Sequence, residues 1–360
     1  MEAVAKELLS KVYQKVDELL DRIDYDAIWE GFSRKKLYLY QKDWVCGKEG
    51  SFPWNESFVG NTTTVWKNEQ VAIWKINEDA DADDEERMCF LVAGLVHEMF
   101  HAFQMEQGEE RFPDDLKRLT CRETALDWYF EMKCNQFLSQ SVKSFMNKQD
   151  NLSDLLERCV DIRRQHLNSN AELVEQLELL ETAEGMAEYA GCMALKQLSE
   201  ELFLKRIQDY SRKIVDTEYL FHHERTSAYL FGTLFILVAK EAGYDLKHQI
   251  GLETSSIGAS VRIQTDQRKL AEISKWEQTV QGKEDWKRSQ FDNYKFENEQ
   301  AGNFTIIGYD PMNMVRIGDQ MLCKTFIRLE DENREVVTFF EPVLLKMKPG
   351  SANQVLLYLY

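Results

Sequence analysis

The feature that most restricts the fold is the stretch FLVAGLVHEMFHAF, residues 90–103, where a histidine pair interrupts an otherwise apolar segment. Apolar side chains would surround a helix of this sequence, which predicts a helix buried in a core. His97 and His101 are four residues apart and would project from one face of that helix. Buried histidines, and the adjacent Glu98, require polar partners. The stretch therefore predicts a polar site in the centre of the fold.

The spacing of these three residues is typical of a zinc site. Two imidazoles on successive helical turns can bind one ion at about 2.0–2.1 Å. Glu98 would point to another side of the helix, from which it could reach a water on the metal. Zinc lowers the pKa of such a water to about 7. We therefore predict one catalytic Zn²⁺ ion held by His97 and His101, with Glu98 as general base.

The third protein ligand does not follow from the pentapeptide HEMFH. Catalytic zinc sites use three protein ligands and leave one position open. The pattern HExxHxxGxxH is absent, because Gln104 and Gln107 stand where it requires glycine and histidine. A glutamate on a later helix remains as the third ligand.

Two glutamates are candidates for this role, and the residues themselves leave both open. Glu123 in CRETALDW lies closer in sequence to the histidines, and the following Asp127 could orient a ligand from outside the metal shell. Glu184 in ETAEGMAEYAG is flanked by Gly185 and Ala187, which would let its helix approach the HEMFH helix closely.

The sequence of motifs HEMFH, EGMAE and YLFG resembles that of the gluzincin metallopeptidases, in particular the zinc aminopeptidases. The resemblance covers about residues 90–235. It implies that Glu184 is the third zinc ligand and that Tyr229, which opens YLFG, stabilises the oxyanion. It also implies an edge strand at QVAIWKI, residues 70–76, to which an extended peptide adds through backbone hydrogen bonds. An ordinary core strand is the alternative for this segment.

The chain departs from this family in two respects. The separation between His101 and Glu184 is much longer than in the zinc aminopeptidases and requires an inserted helical hairpin. The chain also lacks a GxMEN-type motif for binding a substrate amino terminus. His222, His223 and Arg225 precede Tyr229 and could face the oxyanion, although a surface cluster at a helix start is the interpretation we favour.

Hydrophobic periodicity predicts a mainly helical α+β fold, with a small N-terminal antiparallel sheet, a long helical hairpin and a C-terminal β unit. The resemblance implies that the helical core is gluzincin-like. The hairpin arms would be residues 116–146 and 152–199. We predict three segments: an N-terminal helix and small sheet, a helical zinc-metallopeptidase core, and a linker with the β unit, at 1–85, 86–250 and 251–360.

Composition narrows the classes of partner. A net charge of −18 argues against binding to a phosphate backbone, so no nucleic acid is expected. No uninterrupted apolar run approaches the length of a membrane span, so no membrane partner is expected either. Seven scattered cysteines without a CxxC pair, together with charges throughout the first residues, predict a cytoplasmic protein with free thiols.

Together these features predict zinc-dependent hydrolysis of peptide or amide bonds, with a peptide or small protein as substrate. The alternative is a non-catalytic gluzincin-fold protein that binds zinc and acts in regulation or interaction. Glu98 favours the enzyme, because a purely structural zinc site has no use for that residue.

Overall fold

A computed structural model describes residues 2–244, 246, 250–251, 256–260 and 273–360. Helices account for 53% of the structure and strands for 19%, which confirms the prediction of a mainly helical α+β protein. The predicted linker after Gly251 includes residues 252–255 and 261–272, which lie outside the described residues.

The helices and strands follow one another along the chain in the order of their numbers. The helices are α1 Glu2–Leu20, α2 Tyr25–Ile28, α3 Glu85–Glu106, α4 Asp115–Arg118, α5 Ala125–Met146, α6 Leu152–Ser169, α7 Ala171–Leu198, α8 Glu200–Lys213, α9 Thr217–His222, α10 Glu224–Glu241, α11 Ile257–Ser260 and α12 Glu277–Asp292. The strands are β1 Leu37–Tyr40, β2 Trp44–Gly47, β3 Gly50–Pro53, β4 Thr62–Trp66, β5 Glu69–Lys75, β6 Glu299–Tyr309, β7 Met314–Ile317, β8 Gln320–Cys323, β9 Ile327–Asp331, β10 Val336–Phe339, β11 Val343–Met347 and β12 Gln354–Leu359.

The chain divides into two compact units, each assembled from three separate stretches. The predicted segments follow the chain in sequence, whereas the units divide it within α5, α6 and α7. The first unit comprises residues 1–112, 135–160 and 178–263, and the second comprises 113–134, 161–177 and 264–360.

The first unit contains a five-stranded mixed sheet in the order β3-β2-β1-β5-β4. The prediction of an antiparallel N-terminal sheet is wrong in one pairing, because β1 and β5 run parallel with Leu37 opposite Ala72. The hairpin of β2 and β3 extends the sheet on one side of β1. The chain then passes through β4, and β5 enters between β4 and β1.

This order makes QVAIWKI an interior strand, so the sheet edge that the resemblance implies is wrong and the core-strand alternative is confirmed. β5 pairs with β1 on one side and with β4 on the other. Its central residues Val71, Ala72 and Ile73 are buried. In the described part of the chain the edges of this sheet are β3 and β4.

The predicted helical hairpin forms from α5 and α6, with a first arm that begins at Ala125 rather than at residue 116. Antiparallel pairing is evident from two contacts. The Arg158 guanidinium lies 6.0 Å from the centre of the Phe137 ring, and His166 Nε2 lies 3.0 Å from an Asp127 carboxylate oxygen. The second arm breaks at residue 170, between α6 and α7.

The second unit is built on an antiparallel sheet in the order β10-β9-β6-β12-β11-β8-β7, which places strands in the predicted C-terminal β unit. α12 precedes this sheet and was not predicted. It buries a single residue, Lys283, so its sequence lacks the apolar stripe from which a helix is recognised.

One helix of the described residues, α3, has the length and composition of a membrane-spanning segment, and 72% of that segment is buried inside the protein. Core helices share this profile, so it is weak support for a membrane span. α3 also carries His97, Glu98 and His101.

Candidate metal centre

α3 positions His97, Glu98 and His101 as predicted, on a helix that is buried along most of its length. Asp84 caps its amino terminus by accepting a hydrogen bond from the Arg87 backbone N–H. Such a cap satisfies one of the donors that every helix start leaves unpaired. The histidines follow about four and five turns later, and the helix start sets the side of α3 on which they lie.

α7 brings Glu184 to the two histidines. His97 Nε2 and His101 Nε2 lie 3.0 Å apart. Glu184 Oε2 lies 3.1 Å from His101 Nε2 and 3.4 Å from His97 Nε2. Ligand atoms at about 2.0–2.1 Å around a tetrahedral ion are separated by about 3.3 Å. The three side chains could therefore hold one metal ion as they stand.

Hydrogen bonds on the other side of both imidazole rings fix their tautomers. His97 Nδ1 lies 3.0 Å from Glu188 Oε2, and His101 Nδ1 lies 2.8 Å from Gln104 Oε1. The Gln104 amide nitrogen donates to the Ala183 carbonyl, which identifies Oε1 as the acceptor. Both Nδ1 atoms must then donate, so the Nε2 atom of each ring carries a lone pair whenever that ring is neutral.

Three acceptor atoms consequently converge in the buried centre: two imidazole lone pairs and one carboxylate oxygen. His97, His101 and Glu184 are 6%, 9% and 9% exposed, so water screens their repulsion poorly. A cation between these atoms would remove the conflict. A proton can take this place in the metal-free protein: burial lowers the pKa of His97, but hydrogen bonds with Glu184 and Glu188 outweigh it and raise the pKa to about 10.

Glu98 lies beside this group without sharing its hydrogen bonds. It is 8% exposed, and no hydrogen bond or ion pair to it occurs among the described residues. Burial, offset in part by His97 and His101, raises the pKa of its carboxyl group above the usual value. A buried carboxylate without a partner is costly, and it can accept a proton from a small molecule that enters the site.

Glu98 also lies on the side of α3 that faces the sheet. A Cβ at Gly94 would lie 2.5 Å from a Trp74 ring carbon, so α3 contacts β5 closely at this residue. Glu98 is one helical turn further along the same face.

Two residues of α10 complete the surroundings of Glu184. Arg225 donates from Nη2 to Glu184 Oε1 at 2.8 Å, the oxygen that does not face the histidines. The Tyr229 ring stacks on the His97 ring at 5.8 Å between centroids. Burial, followed by the Glu184 charge, raises the pKa of Tyr229 well above its usual value. The hydroxyl therefore stays protonated and able to donate.

The cluster expected at the start of this helix divides into two parts. His222 and His223 are exposed, and their rings contact Phe221 and Tyr219 at 4.8 and 4.7 Å. These histidines match the surface interpretation, whereas Arg225 belongs to the site.

Glycines set the distances between the helices that carry the site. A Cβ at Gly191 of α7 would lie 2.5 Å from the Ala93 carbonyl of α3 and 3.6 Å from the His97 Cβ. A Cβ at Gly185 would instead lie 2.6 Å from Gly232 Cα of α10. The expectation that Gly185 faces the HEMFH helix is therefore wrong. Gly185 brings EGMAE against YLFG, and Gly191 brings α7 against α3.

The alternative ligand, Glu123, is not part of this group. It belongs to the second unit, and both of its carboxylate oxygens accept hydrogen bonds from Lys283 Nζ at 2.7 Å. Asp127 does not support a metal ligand either. Its carboxylate accepts from His166 Nε2 at 3.0 Å and from the Thr124 backbone and hydroxyl, in a capping arrangement at the start of α5.

Sequence reasoning missed the residues that hold the ligands in place. Glu188 follows Glu184 by four residues and Gln104 follows His101 by three, so helical spacing could have identified both. Arg206 and Tyr210, which contact Glu188 from α8, carry no such signal, because only the folded chain brings α8 to α7.

Comparisons with known proteins identified no relative of this chain. No protein-family model matches the chain, and neither the curated proteins nor the solved structures include a match.

Proposed function

We propose that this protein is a zinc-dependent hydrolase of peptide or amide bonds, of the gluzincin type. The observation that carries the proposal is the buried Glu98, which has no hydrogen-bonding partner among the described residues, beside the convergent atoms of His97, His101 and Glu184. Two imidazoles and one carboxylate are a donor set of catalytic zinc sites. A bound zinc ion would supply a water of lowered pKa and a Lewis acid for the substrate carbonyl.

Glu98 is the general base and general acid in this proposal. Its carboxylate accepts a proton from the attacking water as the oxygen forms a bond to the carbonyl carbon. The C–N bond then breaks, and Glu98 returns the proton to the departing nitrogen. Water is thereby divided between the two products, a carboxylic acid and an amine, and no further reactant is needed.

Tyr229 is the proposed donor to the carbonyl oxygen as negative charge develops there. Its ring lies against His97, and its raised pKa keeps the hydroxyl protonated. In the structure the hydroxyl is hydrogen-bonded with Glu184 and Arg225, so in this proposal it turns from Glu184 to the carbonyl oxygen, where one such donor stabilises the developing charge. Arg225 holds the second oxygen of Glu184, so that one carboxylate oxygen remains directed to the metal position.

β4 is the proposed binding edge for an extended peptide substrate. It is antiparallel to β5 and forms one edge of the sheet that packs against α3. Its sequence TTTVW lacks charge and proline, the features that usually block pairing at sheet edges. Val65 is 59% exposed. A peptide or small protein segment can add here through its backbone.

A reducing, cytoplasmic location remains part of the proposal. All seven cysteines are free, and all but Cys121 are buried. Free thiols of this kind are usual in proteins of reducing compartments.

Cleavage of a mixed peptide library by the purified protein tests this function. We expect new amino termini to form, cleavage to stop when a chelator removes the metal, and cleavage to return when zinc is added. Zinc binding without cleavage of any peptide would contradict the proposal and support a zinc-binding protein without catalysis.

Tyr229→Phe should lower the rate of cleavage by about 10²–10³, the usual effect of losing one oxyanion donor. Zinc content should not change, because Tyr229 is not among the three convergent side chains. Turnover and bound zinc are measured on the same sample. Tyr219→Phe, a change at a half-buried residue of α9, serves as the matched control. An unchanged rate in Tyr229→Phe would exclude this role.

A further inference from the structure

Residues of α8 contact His97 indirectly, through Glu188 of α7. Glu188 uses its two carboxylate oxygens for different partners. Oε2 faces His97 Nδ1, whereas Oε1 accepts from Arg206 Nη2 at 2.7 Å and from the Tyr210 hydroxyl. The Cys192 thiol is a more distant donor to Oε1, at 3.8 Å.

Arg206 is fixed by contacts beyond Glu188. Its Nε–H donates to the Tyr210 hydroxyl. Its guanidinium lies 5.7 Å from the centre of the Phe90 ring on α3 and 5.4 Å from that of Tyr210. The Arg206 side chain is 17% exposed and the Glu188 side chain 10%. A buried carboxylate in such surroundings needs a paired charge, and Arg206 is the cation that contacts it.

We propose that Arg206 and Tyr210 are positioning residues that act through Glu188 to direct His97 Nε2 toward the metal. Both donate to Oε1, so Glu188 presents only an acceptor to His97. The imidazole must then keep its proton on Nδ1 and leave the Nε2 lone pair for the metal. Loss of these donors frees the Glu188 carboxylate to rotate away from Nδ1, and His97 can then adopt the tautomer that carries its proton on Nε2.

This inference rests on the proposed metal site but not on hydrolysis, so it is tested by metal affinity. Metal-free protein is titrated with Co²⁺, and the absorption of the bound ion gives the dissociation constant. Groups that support a metal ligand typically contribute about 10–100-fold to affinity. We expect Arg206→Met to weaken Co²⁺ binding by about this factor and Tyr210→Phe by a smaller factor.

Arg212→Met is the matched control. Arg212 lies on the same helix with its side chain 77% exposed, and it pairs with Asp209. We expect no change in Co²⁺ affinity there. Arg206→Lys retains a positive charge and should recover most of the loss, which also protects the test if Arg206→Met folds poorly.

A double-mutant cycle distinguishes action through Glu188 from a general structural role. In a Glu188→Ala background, Arg206→Met should cause no further loss of Co²⁺ affinity. An equal loss in both backgrounds, or unchanged affinity in Arg206→Met, would overturn the proposal. If the wild-type protein fails to bind Co²⁺, the metal site itself is wrong. If it binds Co²⁺ and cleaves no peptide, only the proposed hydrolysis fails.

Discussion

Glu184→Ala is expected to yield a folded protein that retains almost no zinc after dialysis. Glu184 Oε2 lies within 3.4 Å of both histidine Nε2 atoms, and it brings the only negative charge of the three proposed ligands. Two neutral imidazoles remain in the variant, and the Arg225 cation that contacted Glu184 adds unfavourable charge. The loss should exceed the roughly 10–100-fold effect of residues outside the metal shell.

Glu123→Ala is the matched control for this prediction. It also removes a glutamate that the sequence offered as a ligand, but one that pairs with Lys283 in the second unit. We expect zinc content per folded protein to stay at the wild-type level. Metal is measured after dialysis, with an unfolding curve for each variant. Loss of zinc in Glu123→Ala and its retention in Glu184→Ala would make CRETALDW the ligand helix.

The sequence predicted those residues of the site whose positions depend on a single helix. His97, Glu98 and His101 depend only on helical geometry and on the apolar residues around them, which the pattern HEMFH in FLVAGLVHEMFHAF already contains. The tautomer of His101 is also local, because Gln104 lies one turn away.

The parts that sequence reasoning left open depend on contacts between distant segments. Sequence spacing favours Glu123 and the small residues beside Glu184 favour Glu184, and neither signal decides, because the choice depends on which helix packs against α3. Gly191 lets α7 pack closely against the Ala93 carbonyl of α3, whereas Gly185 lets α7 pack closely against Gly232 of α10. The sequence showed small residues on α7 but not which neighbour each one faces.

In the fold, too, local features were predicted and features that depend on distant contacts were not. Helices with an apolar stripe were predicted, whereas α12, which buries one residue, was not. The interior position of β5 depends on where β4 pairs, and local alternation cannot specify the order of strands in a sheet.

Glu98→Gln is expected to keep its zinc and to lose hydrolysis by about 10²–10⁴-fold or more, the usual contribution of a general base. The amide has nearly the shape of the carboxylate, so His97 and His101 should keep their positions. It cannot take a proton from water at neutral pH. Zinc content and cleavage rate are measured on the same preparation, so that loss of chemistry is separated from loss of metal.

Glu85→Gln is the matched control, since Glu85 is an exposed residue in the first turn of the same helix and its variant should cleave at the wild-type rate. Loss of zinc in Glu98→Gln would make Glu98 a ligand or a structural acid, and a wild-type cleavage rate would exclude it as the base.

Stability gives this substitution a second, independent readout. The Glu98 carboxylate is buried and lacks a hydrogen-bonding partner among the described residues, so the folded protein bears the cost of its desolvation. A neutral amide is less costly to bury, and metal-free Glu98→Gln should unfold at a higher temperature than the metal-free wild type. If the same substitution stabilises the protein and abolishes its activity, Glu98 contributes to catalysis at the expense of stability. A lower unfolding temperature would instead show that Glu98 makes a stabilising interaction in the core.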